Sequence, residues 1–280
     1  MLETLPVKSV KIIAEVGCNH GGSMETAIEY VKAAKSCGAD IVKFQTYYPA
    51  NLVNPSKEVL EFCQKSYLGV NDHIKLISAC KENGIEFLSS AFCIDSLLKL
   101  DKIGLKTIKV PSGQIFNEQY LYFLGKMKKK VLLSTGMCIM QDVIKAIRIL
   151  EENGTPQDDI TVMQCTTAYP APANAANLRV LQTFKVLFPK ADIGYSDHTE
   201  GWETTLAAVA LGAMVIEKHF ILDDSTFTPD RPVSLLPEEF SQMVQEIRNV
   251  EAALMSSVKA PHVCERAMFN RRDIVNRSYP

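Results

Sequence analysis

Residues 12–46 read IIAEVGCNHGGSMETAIEYVKAAKSCGADIVKFQT, and the change of hydrophobic period inside this stretch decides the fold. A short apolar run over Val10–Val16 has the length and composition of a buried strand. From Ser23 to Ser36 the apolar positions Ala27, Tyr30, Val31 and Ala34 recur on one face of a helix. Gly38 then stands where a left-handed helix cap belongs, and Ile41–Thr46 returns to a strand-like run. Strand, helix and strand in this order form a unit whose two strands lie parallel, with the helix covering one face of the sheet.

The same alternation continues along the chain. Further strands are expected at Glu86–Ser90, Thr107–Pro111, Val131–Ser134, Ile160–Cys165, Asp192–Tyr195 and Met214–Phe220. Helices are expected around Val70–Asn83, Ile94–Ile103, Glu118–Lys126, Cys138–Glu152, Asn177–Phe188, Thr204–Leu211 and Pro237–Leu254, with Gly84 and Gly104 as further helix-end caps. A closed barrel and an open doubly wound sheet both fit alternating units, and the count of eight strands favours closure. The expectation is therefore an α/β protein with a TIM (β/α)8 barrel over residues 1–257 and a basic, irregular tail over 258–280. That tail reads as a disordered end, a linker fragment or an arm that docks on another subunit. The connection from Tyr47 to about Tyr67 is longer than a usual βα loop, and part of it is a candidate extra helix.

Composition narrows the class. A chain of 280 residues with 47% hydrophobic and 22% charged residues can bury a sizeable core without covalent staples. The net charge of −2 and scattered lysines and arginines argue against a nucleic-acid or membrane surface. Eight cysteines spread without paired spacing read as reduced thiols, and the absence of CxxC argues against a thiolate zinc site. The start MLETLPVKSVKIIAEVG lacks the order of a signal peptide, so a cytoplasmic location is expected.

Active sites of barrels lie at the C-terminal ends of the strands, and polar residues gather there in every expected unit. Glu15 ends the first strand, and Lys43 and Gln45 alternate on the second. Ser89-Ser90, Lys109 with Ser112, and Ser134-Thr135-Gly136 follow on the next three. Gln164–Tyr169, Tyr195–Thr199 and Glu217-Lys218-His219 complete the ring. Two lysines in one cavity are costly unless carboxylates or a multiply charged ligand balance them. Phosphate is the natural candidate, with the hydroxyls of Ser112, Ser134 and Ser196 and the amides around Gly113 and Gly136 as neutral donors. His198 and His219 fall at equivalent ends of adjacent strands, where two imidazoles suit a divalent ion whose shell water and substrate complete. Glu15 and Asp230 are the nearest carboxylate candidates. His20 shapes the local turn, Trp202 and Tyr195 pack, and His73 and His262 carry no site signal.

The motifs IIAEVGCNHGG, GADIVKFQT, FLSSAF, IKVPSGQ, LLSTGM, CTTAYPAP, IGYSDHT and VIEKHF, followed by TPD and SLLPEEF, resemble the sialic acid synthase family, with its legionaminate and pseudaminate relatives. The resemblance runs from about Ile12 to Phe240. It implies a TIM barrel that joins C3 of phosphoenolpyruvate to the open-chain aldehyde of an N-acylated hexosamine, giving a nine-carbon 2-keto-3-deoxy acid and phosphate. By the same resemblance His198 and His219 hold manganese, with magnesium and cobalt as alternatives. Lys43, Lys109, Ser112, Ser134 and Ser196 contact phosphoenolpyruvate, helped by Ser90 and Thr167. Gln45, Tyr169 and Asp230 contact the sugar, and Glu15 lies beside the reacting centre. A homodimer is implied as well.

Three departures from the family pattern stand out. The motif ending in Gln114 usually ends in an acid, so Gln114 occupies a catalytic position without a proton to give. An Asp-His pair of the family is replaced by Asp230-Arg231, where the arginine either pairs with Asp230 or offers a fork to a substrate anion. The family's C-terminal antifreeze-like domain, which lends an arginine to the partner's sugar site, has no counterpart before Pro280, and Arg271, Arg272 and Arg277 are candidate substitutes. A synthase that takes a sugar phosphate, and a non-catalytic relative that binds phosphoenolpyruvate, are the competing readings.

Overall fold

The computed structural model describes residues 9–51, 56–223, 225, 228–254, 256–268 and 271. Eight parallel strands close on themselves: β1 (Lys11–Gly17), β2 (Ile41–Thr46), β3 (Glu86–Ala91), β4 (Thr107–Val110), β5 (Lys130–Ser134), β6 (Ile160–Cys165), β7 (Asp192–Asp197) and β8 (Val215–Phe220), with β1 paired to β8. Helices α1 (Met24–Ser36), α2 (Lys57–Lys65), α3 (Val70–Asn83), α4 (Ile94–Lys102), α5 (Glu118–Met127), α6 (Met140–Glu152), α7 (Val180–Leu187), α8 (Glu203–Ala210) and α9 (Pro237–Ala253) ring the barrel. The closure expected from the strand count is observed. A two-residue strand β9 (Ser234–Leu235) beside β8 was not expected, because two residues are too short to show a period. The long 47–67 connection contains α2. Arg272 and Arg277 lie outside the described residues, and Arg271 is exposed.

Local chemistry sets the element ends. The Ser23 hydroxyl accepts from the Thr26 amide and caps α1. Gly38, Gly84 and Gly104 adopt φ of +86°, +65° and +83°, the left-handed region in which a Cβ is strained.

Side-chain alternation divides the core in two. Outward residues such as Ile12, Ala14, Val42, Phe44 and Ile108 pack against the buried faces of the helices. A separate apolar cluster contains Ile13, Ile41, Leu88, Leu132, Met163 and Val215. Each of these stands two positions before a polar residue of the cavity described below, namely Glu15, Lys43, Ser90, Ser134, Cys165 and Glu217. The period of two therefore stacks an apolar plug beneath a polar layer inside the barrel. Gly194 of β7 faces the plug: a Cβ there would stand 2.9 Å from Val215 O and 3.1 Å from Met163 Cγ.

Candidate active site

A cavity of about 300 Å³ opens over this plug at the C-terminal ends of the strands. It is lined by Glu15, Lys43, Gln45, Ser90, Lys109, Ser112, Ser134, Thr167, Tyr169, Ser196, His198, His219 and Asp230, which are all but two of the residues singled out in the sequence. Strand register explains their meeting. Glu15 lies beside Lys43 on one side and His219 on the other, Gln45 beside Ser90, Ser90 beside Lys109, and Ser196 beside Glu217.

Gln114 and Arg231 are the two that the structure does not bring to the cavity wall. The Gln114 amide donates to Phe92 O at 2.8 Å, and its oxygen accepts from Asn117 at 3.1 Å. The short 3₁₀ turn over Ser112–Gln114 aims Ser112 and Gly113 at the cavity and carries Gln114 past it. Arg231 opens another 3₁₀ turn for which Asp230 is the cap, so the two neighbours diverge and only Asp230 faces the cavity.

Conversely, Glu217 received no role in the sequence reading, yet it organises the cavity floor. Lys109 Nζ lies 2.8 and 3.0 Å from its two oxygens, Lys43 Nζ lies 3.5 Å away, and the Ser196 hydroxyl donates to it at 3.0 Å. Lys43 also pairs with Glu15 at 3.0 Å and donates to Ser90 Oγ at 2.8 Å. Two buried ammonium groups are thus balanced by two buried carboxylates. Parity carried a signal for Glu217, since it sits two positions from His219 on β8 and shares its face.

The charges do not settle equally. Burial raises the Glu15 carboxyl above its ordinary range, against the pull of Lys43. Burial acts on Glu217 in the same sense, but Lys109 and Lys43 outweigh it and hold the carboxylate ionised. Burial lowers Lys109, while Lys43, flanked by both carboxylates, stays above its ordinary value despite burial.

Neutral donors face the same space. The Ser134 hydroxyl is buried without a hydrogen-bond partner. The Gly136 amide donates to Ser112 Oγ at 3.1 Å. A Cβ on Gly136 would stand 2.1 Å from Thr167 Oγ1, so only glycine leaves this cradle open. Hydroxyls, an amide and two ammonium groups form a donor set suited to a phosphate or carboxylate.

Across the cavity the His198 and His219 rings lie 5.4 Å apart. His198 Nδ1 lies 2.8 Å from Thr166 O, which assigns that nitrogen the proton and leaves Nε2 with a lone pair. His219 Nδ1 is buried without a hydrogen-bond partner, and Asp230 Oδ2 is 3.5 Å from it. Burial, His198 and Lys43 push His219 well below the ordinary imidazole range, so its ring is neutral. Burial lowers the His198 pKa, but Cys165, the Thr166 carbonyl and Glu217 outweigh it and raise it above the ordinary value. The His198 Nε2 and the orphaned Nδ1 of the neutral His219 are the two nitrogens that fit a divalent ion. Among the described residues no group of three or more His, Cys, Asp or Glu side chains is arranged around a metal, so such a site would be open. Tyr169 stacks on His198 with ring centroids 4.2 Å apart.

Comparison with known proteins places this geometry. Residues 30–259 match the NeuB family. The chain is 39% identical to the N,N'-diacetyllegionaminic acid synthase of Campylobacter jejuni, covering 94% of this chain and 83% of that protein. It is 38% identical to the protein of that name in Legionella pneumophila, covering 94% and 81%. The crystal structure of a sialic acid synthetase from Leptospira borgpetersenii superimposes with a TM-score of 0.87 at 29% identity, covering 96% of this chain and 93% of that one. The chain belongs to the NeuB family and is an enzyme of the sialic acid synthase type.

Proposed function

We propose that this chain catalyses a metal-dependent condensation of phosphoenolpyruvate with an N-acylated hexosamine, yielding a nine-carbon 2-keto-3-deoxy acid and phosphate. The observation that carries the reading is one cavity in which a lysine, serine and glycine donor set faces the paired imidazoles of His198 and His219. The relatives named as diacetyllegionaminic acid synthases support a sugar of the acylated amino class.

Lys43, Lys109, Ser112, Ser134 and Ser196, with Ser90 and Thr167, bind phosphoenolpyruvate and fix its enol carbon towards the mouth of the barrel. Gln45, Tyr169 and Asp230 orient the sugar. His198 and His219 would hold the divalent ion, manganese by family resemblance, which as a Lewis acid makes the aldehyde carbon attackable. After carbon–carbon bond formation the positive charge at C2 requires a water, and that water must lose a proton before phosphate departs. Glu15 is the group for that proton: it is buried, raised in pKa and held by Gln45 Nε2 at 2.9 Å and Lys43 at 3.0 Å. Gln114, bonded to Phe92 O and off the cavity wall, has no proton to offer there. Small-molecule substrates agree with a net charge of −2, and no described helix is long and apolar enough to cross a membrane. A cytoplasmic homodimer is the working form that the family resemblance supports.

The test is incubation with manganese, phosphoenolpyruvate and either N-acetylmannosamine or a diacetamido-hexose, beside their phosphorylated forms. Phosphate release with a keto acid of the expected mass is the predicted outcome. No product from any free sugar overturns the reading, and product from phosphorylated sugars alone redirects it.

A further inference from the structure

On the outer side of the two strand ends that carry the imidazoles, β7 and β8 are tied by a buried ion pair. Asp197 stands opposite Lys218 in the strand register, the Lys218 ammonium lies 3.1 Å from Asp197 Oδ2, and both side chains are fully buried. Alternation turns them away from the cavity that Ser196, His198, Glu217 and His219 line, towards helix α8. The Asp197 carboxylate accepts from Lys218, from the Thr199 amide and from the hydroxyls of Tyr195, Thr199, Thr204 and Thr205, at 2.8–3.2 Å. Two of these bonds come from Thr199, so the chain folds back on Asp197 in a tight turn with His198 at its centre. Lys218 also donates to Thr199 O, closing that turn from the β8 side one residue before His219.

We propose that Asp197 and Lys218 are positioning residues which set the separation of the His198 and His219 imidazoles, and through it the affinity for a divalent ion; the inference rests on the metal-dependent reading of the site. Neither side chain lines the cavity. Each is joined by one peptide bond to a residue that does, and the pair links the two strand ends across the barrel wall. Apolar side chains could hold β7 and β8 together without desolvating two charges. They could not fix direction. Six donors converging on two oxygens leave the carboxylate one orientation, and through Thr199 they leave the backbone at His198 one path. The 5.4 Å between the ring centroids is thereby set in advance of any ion.

The experiment titrates manganese chloride into the full chain and reads the free ion by electron paramagnetic resonance, beside urea denaturation of each variant. Lys218→Met, which keeps the length of the side chain and removes its charge, should raise the dissociation constant for manganese roughly tenfold. Tyr195→Phe removes one hydrogen bond from Asp197 and keeps the ion pair, so it carries the test if Lys218→Met does not fold; a rise of about threefold is expected. Thr46→Val is the control, because it breaks the buried Thr46 hydrogen bonds to His73 and Ser89 on the β2 and β3 side. It should lower the urea midpoint and leave manganese affinity unchanged. Dissociation constants equal to the parent's in both Lys218→Met and Tyr195→Phe overturn the positioning alone, and so does an equal weakening in Thr46→Val. A parent that binds no manganese removes the metal reading, and the proposal with it.

Discussion

The Lys109 ammonium lies 2.8 Å from one oxygen of Glu217 and 3.0 Å from the other, with both side chains buried beneath the cavity. Removing one partner of such a pair costs about 3–5 kcal/mol, because the remaining charge is left desolvated. Glu217→Gln should lower the unfolding free energy by about that amount. Inorganic phosphate should restore more stability to the variant than to the parent, since an anion then replaces the lost carboxylate. Urea denaturation with and without phosphate measures both effects, and an equal phosphate response in the two proteins would contradict the assignment. In the parent, burial opposes the Glu217 charge but the lysines hold its pKa below the ordinary 4.5. Its contribution is therefore complete above that value and is lost as pH falls through the lower, folded-state value.

Gly17 marks a register shift between β1 and β2 and has φ of +58°. A Cβ there would stand 2.8 Å from Asp230 Oδ2 and 3.2 Å from Gln45 Nε2. Gly17→Ala should cost about 1–2 kcal/mol of backbone strain and displace both side chains. Steady-state kinetics should show the KM for the sugar rising roughly tenfold while that for phosphoenolpyruvate holds. A parallel rise in both would place the damage elsewhere.

The Gln114 side chain is engaged with Phe92 O and Asn117 in this structure. Gln114→Glu sets a carboxylate against the Phe92 carbonyl that now accepts from the amide at 2.8 Å. A loss of about 1–3 kcal/mol in stability is expected, with kcat changed by less than roughly threefold. A hundredfold change in kcat, either way, would show that this side chain reaches the reaction.

His20 is buried, accepts from the Gly22 amide at 3.2 Å, and is lowered by burial to about 4. A depressed imidazole pKa means that the unfolded chain binds the proton first. Stability is full above 6.5, the ordinary value, and declines as pH falls towards 4. The decline attributable to this residue is at most about 3 kcal/mol. Chemical denaturation at pH 7 and pH 5 should show a shallower decline for His20→Asn than for the parent. Equal slopes would refute the assignment.

Much of the architecture was legible before folding because it is written in period. The change from two to 3.6 residues located β1, α1 and β2, and Gly38, Gly84 and Gly104 marked helix ends that do take positive φ. The strand-end rule of barrels, with the family motifs for Asp230, points to thirteen residues of the cavity wall. The family motifs also point to Gln114 and Arg231, which stand off the cavity wall because a 3₁₀ turn carries one neighbour to the cavity and the next away from it.

What the sequence determined alone was therefore which residues stand at the mouth of a closed parallel barrel, since strand alternation and chain order depend on local periodicity. Only the tertiary structure decided how their charges are shared. Glu217 neutralises Lys109 across the barrel from a position 108 residues away, and the Tyr47 hydroxyl joins Cys18 to the Cys63 carbonyl. Such pairings depend on distances across the barrel and on turn rotation, which closure sets and no local pattern encodes.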